Sequence, residues 1–314
     1  MLYMEWLDGL GNQLFAYAFL RALQIETGEP IVVYGYDREK ESLAGISLED
    51  ALPPDANVIY VDKAPRQNYW SVAPVQTFLC RALRKAWVTV HPAKSNYQIE
   101  EALQPRWNAL GVCMVASGYI PVYRRKRFQT FLSKGYFQSP KFWDGHDEQI
   151  CRELRRPELI SPNSRDALLK IRSCNSVCVH MRFGDYVDDP DARRALYVCD
   201  ASYYQRAVEL ACSELTDPVF FLFTTDEARA AEIAFPKEAK LVRMPQGSAV
   251  SDMQMMAQCK HFIIPNSTYS WWAQHLSDNP DKRVYAPERW RRDNVPAALY
   301  ENGWIKIPVT LPEE

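Results

Sequence analysis

The chain has 314 residues, of which 47% are hydrophobic and 24% are charged, and its formal net charge is −2 at pH 7. This length fits one large or two ordinary domains, and such a chain buries about three quarters of its unfolded surface without disulfides or metals. The weakly negative charge argues against a nucleic-acid binder that works by bulk electrostatics. The eight cysteines include no CxxC pair, so we expect reduced thiols in a cytosolic protein.

Neither a leader nor a membrane span is predicted. The N-terminus lacks a basic stretch followed by an apolar core, which argues against a signal peptide. No apolar run reaches the roughly 18 residues that cross a bilayer. We therefore expect a soluble, cytoplasmic protein, with a lost membrane anchor as the alternative.

Strand-like apolar runs recur along the chain and alternate with helical patterns. A helix is predicted from Asn12 to Thr27, where apolar residues form one broad face before Gly28 and Pro30 end it. The alternation predicts an α/β fold with a largely parallel sheet. After a short N-terminal strand, the predicted strands cover residues 31–34, 58–61, 111–116, 176–180, 219–224, 261–264 and 284–286.

Two domains are predicted, because the polar and charged stretch 141–170 separates two βα series. We place them at residues 1–155 and 156–314, with the last residues able to pack back on the first domain. Ligands of open α/β sheets bind beyond the carboxyl ends of the strands. A cleft between the two domains is therefore the expected place of a functional site.

The segment from His180 to Tyr186 places charged side chains where a buried strand is predicted to end. Arg182 can hold a phosphate through a bidentate fork, and Asp185 is near enough to share the site as an acid–base group. A salt bridge between Arg182 and Asp185 at the strand end is the alternative. The segment alone does not decide between the two.

A glycine-rich turn, Gly9-Leu10-Gly11-Asn12-Gln13, joins the N-terminal strand to the first helix. Glycines let the backbone approach a ligand, and the N–H groups of a helix N-terminus bind anions. A dinucleotide fingerprint is the rival interpretation, supported by Asp37, but Leu14 occupies the position of its third glycine. A merely tight turn is the third possibility, which Asn12 and Gln13 disfavour because such a turn needs neither side chain.

Two further strand ends carry polar groups. The strand over 219–224 leads to Thr225 and Asp226, whose carboxylate suits the N1–H and amine of guanine, although a helix N-cap is favoured on this motif alone. The turn Asn266-Ser267-Thr268-Tyr269-Ser270 is predicted to start a helix and to form a second phosphate or nucleotide cradle. Trp271 and Trp272, which follow, are predicted to pack in the core.

Together these blocks resemble the α-1,2-fucosyltransferases, glycosyltransferase family 11. The resemblance covers nearly the whole chain in the expected order. It rests on residues 9–18, 135–142, 180–186, 259–261, 266–272, 299–300 and 304–305.

The resemblance implies a GT-B-like α/β fold, in which two Rossmann-like domains face each other across a cleft and the second binds the donor. It implies an inverting transfer of L-fucose from GDP-β-L-fucose to the 2-hydroxyl of a terminal galactose in an oligosaccharide or glycolipid. GDP-fucose is then a co-substrate, and neither a cofactor nor a metal is expected. A nucleic-acid partner is not expected either. Membrane association is expected only through a lipid-linked acceptor.

By the same resemblance, Arg182 grips the diphosphate, Asn12 lies near the sugar phosphate and Asp226 contacts guanine. The predicted donor-binding residues are Gly9, Gly11, Asn12, Gln13, Arg182, Asp226, Asn266, Ser267, Thr268 and Ser270. The predicted catalytic residues are Arg182, Asp185, His180 and Asn12. Asp185 is the candidate base and His180 the alternative, whereas a dissociative transition state would leave Asp185 to orient the acceptor or Arg182.

Two positions depart from the family pattern. Asp8 replaces the first glycine of the first block, and Phe183 replaces the usual second arginine of the block around Arg182. The second change puts in doubt any phosphate or acceptor contact made by that arginine. Alternative functions are an α-1,6-fucosyltransferase, another GDP-sugar transferase, a NAD-dependent oxidoreductase, or a non-catalytic binder of glycans or nucleotide sugars.

Overall fold

The structure, a computed structural model, describes residues 1–310 except 7–8, 37–47, 63–72, 93, 117, 123–129, 133–134 and 294. The chain divides into two compact units. Unit 1 is Met1–Leu154 with Val295–Leu299, and unit 2 is Arg155–Asn294 with Tyr300–Glu314. None of the helices in the described part of the chain combines the length and apolar composition that a bilayer crossing requires.

Unit 1 is built on a parallel sheet of five strands in the order β3-β2-β1-β5-β4. The strands are β1 (Leu2–Glu5), β2 (Ile31–Tyr36), β3 (Val58–Asp62), β4 (Val112–Cys113) and β5 (Thr130–Leu132). The described helices are α1 (Leu10–Thr27), α2 (Leu48–Ala51), α3 (Pro74–Val90), α4 (Asn96–Ala109) and α5 (Asp147–Leu154), with a 3-10 turn at Pro140–Trp143.

Helix α1 is almost wholly buried from Leu10 to Gln24. It begins two residues before the predicted start and ends at Thr27 as predicted. Phe15 packs against Trp143, and Phe19 packs against Phe137, with ring centroids 5.7 and 5.2 Å apart. These aromatic contacts hold the segment around residues 137–143 against α1.

Unit 2 is built on a parallel sheet of six strands. The strands are β6 (Asn175–Met181), β7 (Pro218–Thr224), β8 (Lys240–Arg243), β9 (His261–Ile263), β10 (Val284–Pro287) and β11 (Ile305–Ile307). The described helices are α6 (Arg165–Ser173), α7 (Asp185–Asp188), α8 (Pro190–Leu196), α9 (Ala201–Glu214), α10 (Glu227–Ala231), α11 (Ala249–Met256) and α12 (Thr268–His275), with 3-10 turns at Pro157–Leu159 and Pro162–Ser164.

The strand order of unit 2 is β8-β7-β6-β9-β10-β11. Counted from β6, this is the order 3-2-1-4-5-6 of nucleotide-binding α/β folds, which bind ligands where the order reverses. Here the order reverses between β6 and β9, which pair from Val177 opposite His261 to Val179 opposite Ile263. Because the strands are parallel, the segments that follow β6, β7 and β9 leave the same edge of the sheet.

Every predicted strand is present, and all but one lie within two residues of the predicted bounds. The exception is 111–116, where the carbonyl of Val115 instead accepts the backbone N–H of Tyr136 and the strand is confined to Val112–Cys113. Three of the strands in the described ranges lie outside the prediction. β5 and β11 have three residues each, and β8 is an exposed edge strand without a buried face.

The predicted packing of Trp271 and Trp272 in the core is confirmed. Trp271 and Trp272 are fully buried in α12. All eight cysteines are free thiols, and most are buried. Both tryptophans and the six buried cysteines act as core side chains.

Phe183 lies in the hydrophobic core of unit 2. Its side chain is 7% exposed and belongs to the same cluster as Val198, Cys199, Tyr203 and Tyr204. The position at which a second arginine is usual is therefore occupied by a packing residue in this chain. A cation there would lose its water without gaining a described partner.

We expect Phe183→Arg to lower the free energy of unfolding by at least about 3 kcal/mol, because it buries a charge in an apolar cluster. Phe183→Leu should cost about 1 kcal/mol. Chemical denaturation measures both. Phe78→Arg is the control, since Phe78 is 65% exposed, and should change stability by less than about 0.5 kcal/mol. A Phe183→Arg variant as stable as the wild type would contradict the buried placement.

Candidate active site

Arg182 is the first residue after β6, and it pairs with Asp185. Its Nη2 donates to Asp185 Oδ1 at 2.5 Å, and the guanidinium lies over the ring of Tyr186, 5.4 Å from the centroid. The side chains of Arg182 and Asp185 are 40% and 54% exposed, so the pair adds at most about 1 kcal/mol of stability. The salt bridge named as the alternative is present, and it leaves the guanidinium exposed enough to bind an anion.

Gly184 makes the turn between these two charged residues. Its backbone has φ 53° and ψ −127°, a combination that side-chain-bearing residues essentially do not adopt. This turn lets Phe183 enter the core while Arg182 and Asp185, on either side of it, stay exposed. The glycine is therefore required by the geometry of the pair.

His180 links the end of β6 to the turn that follows β9. Its Nδ1 lies 2.6 Å from Oγ of Ser270, and both residues are buried. Burial, reinforced by the positive charge of Arg182, lowers the pKa of His180 to about 3. The imidazole is therefore neutral at physiological pH and a weak base, which disfavours the alternative in which His180 deprotonates the acceptor.

Asn266 braces the turn after β9. Its Nδ2 donates to the carbonyls of Leu196 and Trp290 at 2.8 and 2.9 Å, and only 2% of the residue is exposed. Because both amide hydrogens have protein partners, this amide holds the turn in position. The predicted contact of Asn266 with the donor stays a prediction.

Helix α12 begins without a side-chain cap. Ser267 occupies the N-cap position, but its hydroxyl caps none of the first N–H groups, and the first turn contains no acidic residue. Thr268 is the first helical residue. An uncapped helix N-terminus offers N–H groups and the positive end of the helix dipole to an anion. The turn is therefore compatible with the predicted phosphate cradle, which stays a prediction.

Asp226 lies beyond the end of β7, next to the end of β6, since Thr224 pairs with Met181. Its carboxylate accepts the backbone N–H of Arg229 at 3.0 Å and caps α10, which confirms the N-cap interpretation. Arg229 also pairs with Asp188 of α7 at 2.6 Å. These contacts fix the carboxylate of Asp226, and its contact with guanine stays a prediction.

In unit 1, the turn after β1 presents polar side chains at the start of α1. Gly9 is the N-cap residue with φ 72° and ψ 131°, a backbone that only glycine adopts readily, and no side chain caps the helix. Asn12 Oδ1 accepts a hydrogen bond from Gln138 Nε2 at 2.9 Å. Gln13 is fully buried, and its amide has no hydrogen-bond partner among the described residues. An amide buried in this way is costly unless something pairs with it.

Most of the predicted site residues of unit 2 lie at the reversal between β6 and β9. They are His180, Arg182, Asp185, Asn266, Ser267, Thr268 and Ser270, with Asp226 at the neighbouring strand end. Gly9, Gly11, Asn12 and Gln13 lie together in unit 1. Asp8 and Asp37 lie outside the described residues.

Two residues near the site carry no role in the sequence-based prediction. Tyr204 accepts the backbone N–H of Arg182 through its hydroxyl at 3.3 Å. Gln138 holds Asn12, and its only signal is its place in the block 135–142. Each of the two contacts residues that are distant in sequence, and local sequence patterns do not predict such contacts.

The depressed pKa of His180 predicts a loss of stability in acid. Below pH 6.5 the unfolded chain takes up a proton on this imidazole, whereas the folded chain accepts it only near pH 3. Because of this group, the free energy of unfolding decreases as the pH is lowered from about 6.5 towards 3, by up to about 1.4 kcal/mol per pH unit. His180→Gln should remove that dependence, as measured by chemical denaturation at neutral pH and at about pH 4.5.

His91→Gln is the control, because His91 is exposed on the surface of unit 1. If His180→Gln and the wild type lose stability in parallel on acidification, the neutral buried state of His180 is wrong.

Comparisons with known proteins identify the family. The family model of glycosyl transferase family 11 matches residues 1–308. The chain is 28% identical over 318 residues to the O-antigen biosynthesis glycosyltransferase WbnK of Escherichia coli, across 95% of this chain and 98% of that protein. It is 29% identical over 160 residues to an alpha-1,2-colitosyltransferase of Escherichia coli, across 50% of this chain and 54% of the relative. It is also 28% identical over 182 residues to a galactoside 2-alpha-L-fucosyltransferase of Caenorhabditis elegans, across 54% of this chain and 49% of the relative.

Among solved structures, NodZ alpha-1,6-fucosyltransferase soaked with GDP-fucose is similar in fold. The TM-score is 0.50 at 16% identity, over 88% of this chain and 92% of that chain. This likeness and the two parallel sheets confirm the predicted GT-B-like α/β fold class. Since the family model matches the chain almost from end to end, this protein belongs to glycosyltransferase family 11 and is a glycosyltransferase, as its motif blocks predict.

Proposed function

We propose that this glycosyltransferase transfers L-fucose from GDP-β-L-fucose to the 2-hydroxyl of a terminal galactose, forming an α-1,2 linkage with inversion. The name of the galactoside 2-alpha-L-fucosyltransferase relative supports the sugar and the linkage. The fold neighbour soaked with GDP-fucose supports the donor. The observation on which the proposal depends most is the exposed guanidinium of Arg182 at the strand reversal of unit 2.

The donor diphosphate would bind Arg182 and the uncapped N-terminus of α12. Breaking the bond between fucose and GDP leaves negative charge on the diphosphate, and a fixed cation with aligned N–H groups stabilises that charge. Asp185 and the ring of Tyr186 hold the guanidinium in place before the donor arrives. A fixed guanidinium supplies the charge compensation that a divalent metal would otherwise provide, so we propose a metal-independent reaction.

The remaining donor contacts are proposed from the motif positions. Asp226, held as the cap of α10, would accept the N1–H and amine of guanine through its carboxylate. Asn12 and the backbone N–H groups at the start of α1 would bind the sugar phosphate. The buried hydrogen bond between His180 and Ser270 would position the turn that begins α12.

In the proposed reaction the acceptor oxygen attacks the anomeric carbon of fucose as the bond to GDP breaks. The acceptor proton goes to the carboxylate of Asp185, and the electron pair of the broken bond leaves with GDP. A single displacement of this kind inverts the β configuration of the donor to α in the product. His180 takes no proton, because burial keeps its pKa near 3.

Arg182→Ala should lower kcat/KM for transfer by at least about 100-fold, because it removes the charge that stabilises the leaving diphosphate. GDP release with GDP-fucose and a galactoside measures the effect. Arg194→Ala is the matched control: Arg194 also pairs with an aspartate three residues away and is more exposed, at 68%. That variant should transfer normally. Near-normal turnover by Arg182→Ala would reject the assignment.

Asp185→Asn separates a base from a residue that only positions Arg182. If Asp185 is the base, kcat of the variant should fall by about 100-fold or more, and the acidic limb of the pH–rate profile should disappear. If Asp185 only positions Arg182, the variant should have a higher KM for GDP-fucose and a pH–rate profile of unchanged shape. Steady-state rates across pH, with donor and acceptor varied separately, decide between the two roles.

Transfer of colitose in the same linkage is the second candidate function, because half of the chain is similar to an alpha-1,2-colitosyltransferase. The binding residues proposed above contact the nucleotide rather than the sugar ring, so they fit both sugars. A panel of fucose and colitose donors with galactose-terminated acceptors, followed by linkage determination, distinguishes them. An α-1,6 product would reject the proposed linkage.

A further inference from the structure

Helix α3 exposes a continuous apolar face. Four large apolar side chains of this helix are exposed: Val75 at 65%, Phe78 at 65%, Leu79 at 39% and Val90 at 72%. Ala82 and Ala86, also exposed, lie between them at helical spacing. Single exposed apolar residues are ordinary, but a stripe along a whole helix marks an interaction surface.

The opposite face of the same helix anchors it in unit 1. Cys80 is buried there, and Leu83 and Trp87 pack against a cluster that includes Leu103 and Trp107 of α4. The helix therefore has two apolar faces, and only one of them serves the core. The outward stripe is not required for the fold of unit 1.

The segment that contains α3 is strongly basic. Residues 63–99 include six Lys and Arg and no Asp or Glu, in a chain whose net charge is −2. Arg81 and Lys85 are exposed on α3 and border the apolar stripe along one side. An apolar stripe with a basic border is the pattern of helices that lie in the surface of an anionic membrane.

We propose that the outward face of α3 binds the surface of a bilayer that contains anionic phospholipid. The apolar stripe would enter the interface between headgroups and acyl chains, and the basic border would face the lipid phosphates. A second copy of the chain is a poorer partner. Arg81 and Lys85 lie near the middle of the helix, so a two-fold contact centred on the stripe would bring like charges together. The proposal does not depend on the identity of the donor or acceptor.

Flotation of the full chain with vesicles tests the proposal. We expect the protein to float with vesicles that contain phosphatidylglycerol and not with pure phosphatidylcholine, and the binding to weaken as salt rises. The double variants Phe78→Glu with Leu79→Glu, and Arg81→Glu with Lys85→Glu, should each lower vesicle binding at least about tenfold. Their thermal midpoints should match the wild type, because all four positions are exposed.

Leu169→Glu is the matched control, since Leu169 is 58% exposed on α6 in unit 2, and it should bind vesicles like the wild type. Absence of wild-type binding to anionic vesicles would overturn the proposal, as would equal binding by the control and the α3 variants. Light scattering measures the oligomeric state and tests whether the face binds a second copy of the chain instead. A wild-type dimer that Phe78→Glu with Leu79→Glu dissociates, without any vesicle binding, would reassign the face to self-association.

Discussion

The pairing of β6 with β9 is the constraint on which the candidate site depends. At this pair the order of the parallel strands reverses, so the connections that follow the two strands diverge and leave their carboxyl ends accessible. Arg182 follows β6 directly, and the turn that starts α12 follows β9. The hydrogen bond between His180 and Ser270 then ties the two ends together below the surface. Arg182 and the N-terminus of α12 lie at the same edge of the sheet because of the strand order. Neither sequence segment alone determines this placement.

The two interpretations of Arg182 and Asp185 turn out to be compatible. An exposed ion pair contributes little to stability, so stability alone does not explain its presence. The pair orients the long, flexible side chain of Arg182, which lies over the ring of Tyr186 and against the carboxylate of Asp185 without any ligand. Ordering the arginine in advance lowers the entropy cost of binding an anion. The same contact is thus a salt bridge and is compatible with the proposed anion site.

The sequence predicted the features that are local and failed on those that join distant segments. Buried strands such as β6 and β7 show as apolar runs with polar ends, and the first helix shows as a periodic face. The state of His180 could not be read in this way, because its neutral form depends on burial against a turn far along the chain. Asn266 resembles a ligand contact in sequence, yet its amide is used by two carbonyls from separate segments. Edge strand β8 escaped prediction because it has no buried face to create a pattern.

The distance in sequence between the two halves of the site has a consequence for synthesis. His180 and Ser270 are 90 residues apart, so their contact is among the non-local pairings that form late and slowly in folding. Arg182 is synthesised before β9 and α12, so the helix terminus at the same edge of the sheet exists only after β9 has paired and α12 has formed. A nascent or truncated chain that ends before α12 therefore contains Arg182 but lacks the helix N-terminus of the candidate site. The candidate site is a property of the finished chain, and a ligand that binds there would favour the completed sheet over any partly folded form.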